Sequence, residues 1–172
     1  VVVVVSAFGK TTNALIKGAT LAAQKNEDYL EVLKELENNH FNIIKELLPV
    51  KEQSSVNGYV KQLFNHLETI YEGCFLLREL SPKTLAKVSS FGELLSSYII
   101  SQAANESFKA VYKDTRELIV ASDNYNNALV DFSATFKNCQ EYFSSHSQKV
   151  TIVPGFVART INGKTTTLGR GG

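Results

Sequence analysis

The residues best placed to do chemistry stand at the end of the chain, where Gly169, Arg170, Gly171 and Gly172 follow a strand-like run at 164–168. A glycine-rich turn exposes successive backbone N–H groups beside a guanidinium, a setting suited to a carboxylate or a phosphate. Arg170 has glycines on both sides, a placement with little use for packing. A two-pronged arginine–carboxylate contact contributes about 1.5–3 kcal/mol per charged hydrogen bond and fixes orientation, which lysine cannot copy. A solvated turn arginine is the plain alternative. Such loops normally run on into a helix that completes the anion site, so the chain is expected to stop within one.

Three other groups carry possible chemistry. Ser6, Thr12 and Asn13 lie where an apolar run hands over to a helix, the usual ligand edge of an open α/β sheet, although capping explains them equally. Gly92-Glu93 precedes the helix-like run 94–100, which places Glu93 in a first helical turn where a carboxylate is favoured by the helix dipole. Alternatively, the glycine leaves Glu93 approachable, ready to accept hydrogen bonds from an ammonium group. Pro154-Gly155-Phe156 marks a turn after a β-branched run.

Other constellations lead nowhere. Gly9-Lys10-Thr11-Thr12 and Gly163-Lys164-Thr165-Thr166 resemble the end of a phosphate-binding loop, but the glycine required five positions earlier is Val4 in one case and Ala158 in the other. His40, His66 and His146 share no metal-ligand spacing, and no Ser-His-Asp arrangement can be assembled, so these histidines are expected to be structural or superficial. The acidic run around Glu27, Asp28 and Glu31 reads as a solvated helix face.

These residues need elements to hold them. Residues 1–5 are five valines, expected to form a strand covered on both faces at the centre of a parallel sheet. A helix is expected over 14–23. Residues 27–89 are almost wholly helical in pattern: Tyr29, Leu33, Leu36, Ile43, Ile44 and Leu47 mark one helix, with Asn26 as cap and Pro49 as stop, and Val60, Leu63, Phe64, Leu67, Ile70, Tyr71, Cys74 and Phe75 mark a second, paired with it as an antiparallel hairpin. Ser81-Pro82 starts another helix, and a further one is expected from 91 to about 104. Strands are expected at 107–112, 117–120 and 150–153. A helix at 131–144 has the apolar set Phe132, Phe136, Cys139 and Phe143. Asn162-Gly163 signals a two-residue hairpin. The pattern is α/β, a three-layer α/β/α sandwich carrying a helical excursion.

Composition sets the frame. With 172 residues and 44% hydrophobic content, the chain can bury one core. Eighteen basic and seventeen acidic residues leave a net charge of +1 without a basic cluster, which gives no reason to expect nucleic acid or an anionic membrane as partner. Cys74 and Cys139 are far apart on apolar helix sides, as expected of buried reduced thiols in a cytoplasmic protein. The first apolar run is too short to span a membrane and lacks a signal-peptide pattern. No methionine occurs, even at position 1. With a strand from the first residue, the sequence is expected to begin inside a fold.

Four motifs in order give a family resemblance. Ser6-Ala7-Phe8-Gly9-Lys10-Thr11-Thr12-Asn13, Ser90-Phe91-Gly92-Glu93-Leu94-Leu95-Ser96-Ser97, Pro154-Gly155-Phe156 and Leu168-Gly169-Arg170-Gly171-Gly172 together resemble the aspartate kinases of the amino acid kinase family, over nearly the whole chain. The helical region 27–89 resembles that family's insertion. The resemblance implies a partial amino acid kinase sandwich and transfer of the ATP γ-phosphoryl group to the side-chain carboxylate of L-aspartate, with Mg²⁺, giving 4-phospho-L-aspartate for lysine, threonine and methionine synthesis. It implies that Arg170 clamps the substrate α-carboxylate, that Glu93 receives the α-ammonium, and that Thr12 and Phe156 line the aspartate site. Gly171 and Gly172 would let the backbone approach substrate or phosphate, with Ser6 near the transferring group. A homo-oligomeric parent protein in the cytoplasm is implied as well.

Departures from the family pattern matter equally. The family's Lys-Phe-Gly-Gly-Thr-Ser strand end, whose lysine neutralises the transferring phosphoryl group, is absent from these residues. So are the Ser-Asp pair that follows the Gly-Gly, the ATP-binding segments and the ACT-type regulatory domains. Since phosphoryl transfer depends on positioned positive charge, the 172 residues alone are expected to be inactive. Two other readings stay open: a kinase of the same fold acting on another carboxylate such as glutamate or acetylglutamate, and a non-enzymatic helical interaction module built on 27–89.

Overall fold

A computed structural model describes residues 1–125 and 127–168. Strand β1 (Val2–Val5) leads into helix α1 (Thr11–Ala23), followed by α2 (Tyr29–Leu47), α3 (Val50–Leu77) and α4 (Pro82–Phe108). Then come β2 (Ala110–Tyr112), a 3-10 turn (Thr115–Glu117), β3 (Val120–Ala121), α5 (Phe132–Ser145), β4 (Val150–Pro154), β5 (Val157–Thr160) and β6 (Thr165–Thr167). The strands make two three-stranded sheets, a parallel one ordered β1-β4-β2 and a mixed one ordered β3-β5-β6. The class is α/β, as the sequence pattern indicates.

The long helix α4 organises everything else. It packs on β4 and β2 of the first sheet and on β6 of the second, while α1, α2 and α3 cover its opposite side. Leu15, Ile44, Val56, Val60, Phe64, Leu67, Tyr71, Leu95 and Ile99 interlock there, each at most 2% exposed. A Leu-to-Ala change at such a site typically costs about 2–5 kcal/mol. Tyr71 spans two helices: its hydroxyl donates to the Leu15 carbonyl at 2.7 Å, and its ring lies so close to Gly18 that a Cβ there would meet it at 2.8 Å. The helical hairpin is thereby fastened to the element that carries Thr12.

Helix boundaries follow local chemistry. Ser81 caps α4 by accepting from Thr84 N, and Pro82 occupies the first turn, where its missing N–H leaves no bond unmade. Asp131 caps α5 in the same way through Ala134 N. Asn26 lies just outside α2; its side chain instead accepts from Asp28 N, and Asp28 holds the cap position. Pro49, expected as a stop, separates α2 from α3.

Several expectations are corrected. Among the described residues the valine strand is an edge strand, bonded to β4 alone, and Val1, Val2, Val3 and Val4 are exposed. A β-branched run specifies extended backbone; whether its faces are covered depends on neighbours that periodicity does not reveal. The expected helix from 91 is no separate element, because α4 continues through Gly92: a glycine keeps its N–H in the ladder, weakening a helix without ending it. Of the expected strand at 107–112 only Ala110–Tyr112 is extended, and the segment around 117–120 divides into the 3-10 turn and β3. The hairpin loop has three residues, since Thr160 N donates to Lys164 O while Gly163 takes φ +74°, the left-handed residue of a bulged turn. On α5, Phe132 and Phe136 are 64% and 66% exposed and Phe143 is partly exposed, so its apolar stripe is not a core face among the described residues. Cys74 is buried and Cys139 half-buried, both as free thiols.

Candidate active site

Ser6 with Thr12, Glu93, and Phe156 stand in three parts of the chain separated by 63 positions or more, yet the fold brings those parts to one edge, beyond the carboxyl ends of parallel β1 and β4. This is where ligands bind in open α/β sheets. The register pairs Val5 with Pro154, so the turns leaving both strands begin side by side, and Gly155 N donates to Val5 O at 2.9 Å.

Glu93 is the centre of the arrangement. It lies in the middle of α4, not in a first turn, so no helix-end argument accounts for a carboxylate there. It is only 8% exposed, and its Oε2 has no hydrogen-bond partner among the described residues. Burial alone pushes its carboxyl up to about 7. An unpaired buried acceptor costs about 1–3 kcal/mol, which a fold sustains where a bound group completes it. The neighbours are suitably small. A Cβ on Gly155 would meet Oε2 at 2.9 Å, Val4 at 3.3 Å and the Val5 carbonyl at 3.5 Å, so only glycine lets the strand turn pass the carboxylate.

Thr12 reaches the same helix from the other side. It stands in the first turn of α1, which no side chain caps, and its hydroxyl would lie 3.3 Å from a Cβ on Gly92, the residue before Glu93. Gly92 also admits Ala7, whose Cβ would be 2.9 Å away. Ser6 is exposed at the end of β1, and its carbonyl accepts from Ser96 Oγ on α4 at 2.9 Å. Phe156 closes the turn after β4 with φ +33°, a conformation that a side chain adopts only under constraint, and a tight bond from Val157 N to Gly155 O holds it. Its carbonyl accepts from Leu168 N at 3.0 Å, which ties this turn to the segment entering the glycine-rich terminus. Arg170, Gly171 and Gly172 lie outside the described residues.

Sequence reasoning missed the roles of Gly92, Gly155 and Ser96. Glycines inside a helix and beside a proline are a signal of close approach, but what approaches is fixed only by the fold. The phosphate-loop look-alike at Gly9 is a turn with φ +47° whose Lys10 is exposed at the start of α1. His40 is fully buried between the Phe8 and Phe64 rings with Nδ1 on the Leu36 carbonyl, a structural residue, while His66 and His146 are exposed. Among the described residues no cluster of three His, Cys, Asp or Glu side chains could hold a metal ion, and no helix is long and apolar enough to cross a membrane.

An α/β domain with a buried carboxylate at the strand ends, unpartnered among the described residues and set beside a threonine and two glycines, has the form of a small-molecule site for a cationic or zwitterionic ligand. Comparison with known proteins finds relatives of one kind. The chain is 30% identical over 178 residues to the bifunctional aspartokinase/homoserine dehydrogenase of Buchnera aphidicola, covering 100% of this chain and 21% of that protein. It is 32% identical over 179 residues to the chloroplastic aspartokinase 1 of Arabidopsis thaliana, covering 99% of this chain and 30% of that protein. Escherichia coli aspartokinase III, solved with aspartate and ADP, superposes with a TM-score of 0.87 at 26% identity over 99% of this chain and 37% of the solved one. The same enzyme with lysine and aspartate gives 0.86. No protein-family model matches. The homologues of this chain are thus aspartokinases, alone or fused to homoserine dehydrogenase, and the chain spans between about a fifth and a third of the curated relatives' length.

Proposed function

We propose that this chain forms the amino-acid side of an aspartate kinase, which transfers the γ-phosphoryl group of ATP to the side-chain carboxylate of L-aspartate and yields 4-phospho-L-aspartate and ADP. The observation that carries the reading is Glu93: a mid-helix carboxylate, nearly sealed from water, whose Oε2 lacks a hydrogen-bond partner among the described residues, with Gly155 packed against it. An α-ammonium group supplies what is missing, a charged donor at a desolvated acceptor. Similarity to aspartokinases along this chain, one of them solved with aspartate and ADP, supports the choice of substrate.

In this reading Glu93 holds the ammonium, Thr12 and Phe156 line the pocket, and Arg170 with Gly171 and Gly172 takes the α-carboxylate. An amino acid zwitterion gripped at one fixed anion and one fixed cation presents its side-chain carboxylate in a single orientation, which supplies part of the barrier lowering as positioning. Ser6, at the exposed end of β1, faces the transferring group. ATP brings Mg²⁺ with its phosphates, and the described residues offer no acidic cluster of their own for that ion. Residues 27–89 form a helical insertion in a kinase catalytic domain, and the lysine-bearing and ATP-binding segments correspond to parts of the relatives that this chain does not span. Cytoplasmic location, homo-oligomeric assembly and a place in lysine and threonine synthesis belong to the same proposal.

The test is steady-state kinetics of the full-length protein. Glu93→Gln and Arg170→Ala should each raise the aspartate KM strongly and leave ATP binding nearly intact. Unchanged aspartate kinetics in both variants would remove the assignment.

A further inference from the structure

Five serines are buried along α4, and the four whose hydroxyl bonds are seen, Ser90, Ser96, Ser97 and Ser101, do not behave alike. Ser90 and Ser101 donate back into their own helix, to Lys87 O and Tyr98 O at 2.7 Å each. Ser97 likewise donates within its own helix, to Glu93 O. Ser96, fully buried, does something different: its hydroxyl reaches off the helix to the Ser6 carbonyl, 90 positions away, at 2.9 Å, with its own helix carbonyl at Glu93 farther off at 3.3 Å.

A serine needs only its own helix to satisfy its proton, as Ser90 and Ser101 demonstrate, so the cross-element bond is a feature of this position. At the end of β1 two successive carbonyls are taken by two different elements: Val5 O by Gly155 N, and Ser6 O by Ser96. Gly155 in turn abuts the Glu93 carboxylate, and Ala7 and Thr12 abut Gly92. Just beyond Glu93 on α4, Ser96 therefore reaches the end of β1.

We propose that Ser96 is a positioning residue, whose hydrogen bond to the Ser6 carbonyl fixes the spacing between Glu93 and the turn that carries Ser6 and Thr12, so that both meet one amino-acid substrate. This rests on the reading of the site given above. A two-sided grip on a zwitterion tolerates little misplacement, since displacement of one wall lowers affinity at the other. Ser96 touches no substrate and acts only through these neighbours.

The experiment compares Ser96→Ala, Ser96→Cys and Glu93→Gln in the full-length protein, with aspartate and ATP varied separately. Loss of one neutral hydrogen bond corresponds to an aspartate KM about three- to tenfold higher for Ser96→Ala. Cysteine is somewhat larger but keeps the shape and a weak donor, so its effect should be smaller, and it carries the comparison by itself if the alanine variant does not fold. The ATP KM should stay unchanged in both. A rise of both KM values together, or no rise in either serine variant while Glu93→Gln raises the aspartate KM, overturns the positioning role. No effect of Glu93→Gln removes instead the site reading beneath it.

Discussion

The Glu93 carboxylate lies against Gly155, so near that a Cβ on that glycine would come within 2.9 Å of Oε2. A helix side chain and a strand turn, 62 positions apart in sequence, thus share a contact that admits no added atom. Gly155→Ala should push the carboxylate or the turn aside and weaken aspartate binding at least tenfold, about 1.4 kcal/mol. Isothermal titration of the variant with aspartate measures this; wild-type affinity would show that the contact is dispensable.

Glu93 should trade stability against binding. Its folded carboxyl, raised to about 7 from 4.5, favours the protonated form, so the fold bears no charge-burial cost below pH 4.5 and the full cost above pH 7. The shift corresponds to roughly 3 kcal/mol. In the absence of substrate, Glu93→Gln should therefore raise the melting temperature at pH 8 and lose that advantage as pH falls through 7 to 4.5. Melting curves over this range decide it, and equal behaviour of the two proteins would show that the carboxylate is solvated.

Substrate binding should carry a proton signature. An ammonium group binds the ionised form of Glu93, so aspartate association near pH 7 should release protons, and the apparent dissociation constant should rise toward tenfold per unit as pH drops below 7. Titration calorimetry in two buffers of different ionisation enthalpy reads the release directly. Zero net proton transfer would place the ammonium elsewhere.

Tyr71 links α3 to α1 through the Leu15 carbonyl, and Gly18 makes room for its ring. Tyr71→Phe should lower stability by about 1–2 kcal/mol, by leaving a buried carbonyl unpaired. Gly18→Ala should lower it too, despite alanine's better helix propensity, because a methyl group cannot fit 2.8 Å from the ring. Urea denaturation would show this as reduced midpoints; a stabilised Gly18→Ala protein would contradict the packing.

Sequence and structure agree where local chemistry decides. Ser81-Pro82, the apolar spacing from Val60 to Phe75 and the left-handed Gly163 identify their elements because capping, periodicity and positive φ act within a few residues. Tertiary environment was not legible in that way. The valines of β1 spell a strand and say nothing of its being an edge; Phe132 and Phe136 have helical spacing and are exposed. For the site, residue types pointed to Glu93, yet Gly92 beside it suggested a helix start, whereas the glycine accommodates Ala7 and Thr12 from another element. Ser96 carried no signal, because a serine that bonds its own helix and one that bonds a distant strand look identical in sequence.

The open side of β1 has a consequence for handling. Among the described residues β1 pairs on one side only, so its other backbone groups, with the exposed Val1, Val2, Val3 and Val4 side chains, are open to a further strand. In work with these residues as an isolated polypeptide, a lysine at Val2 or Val4 would discourage such pairing between copies.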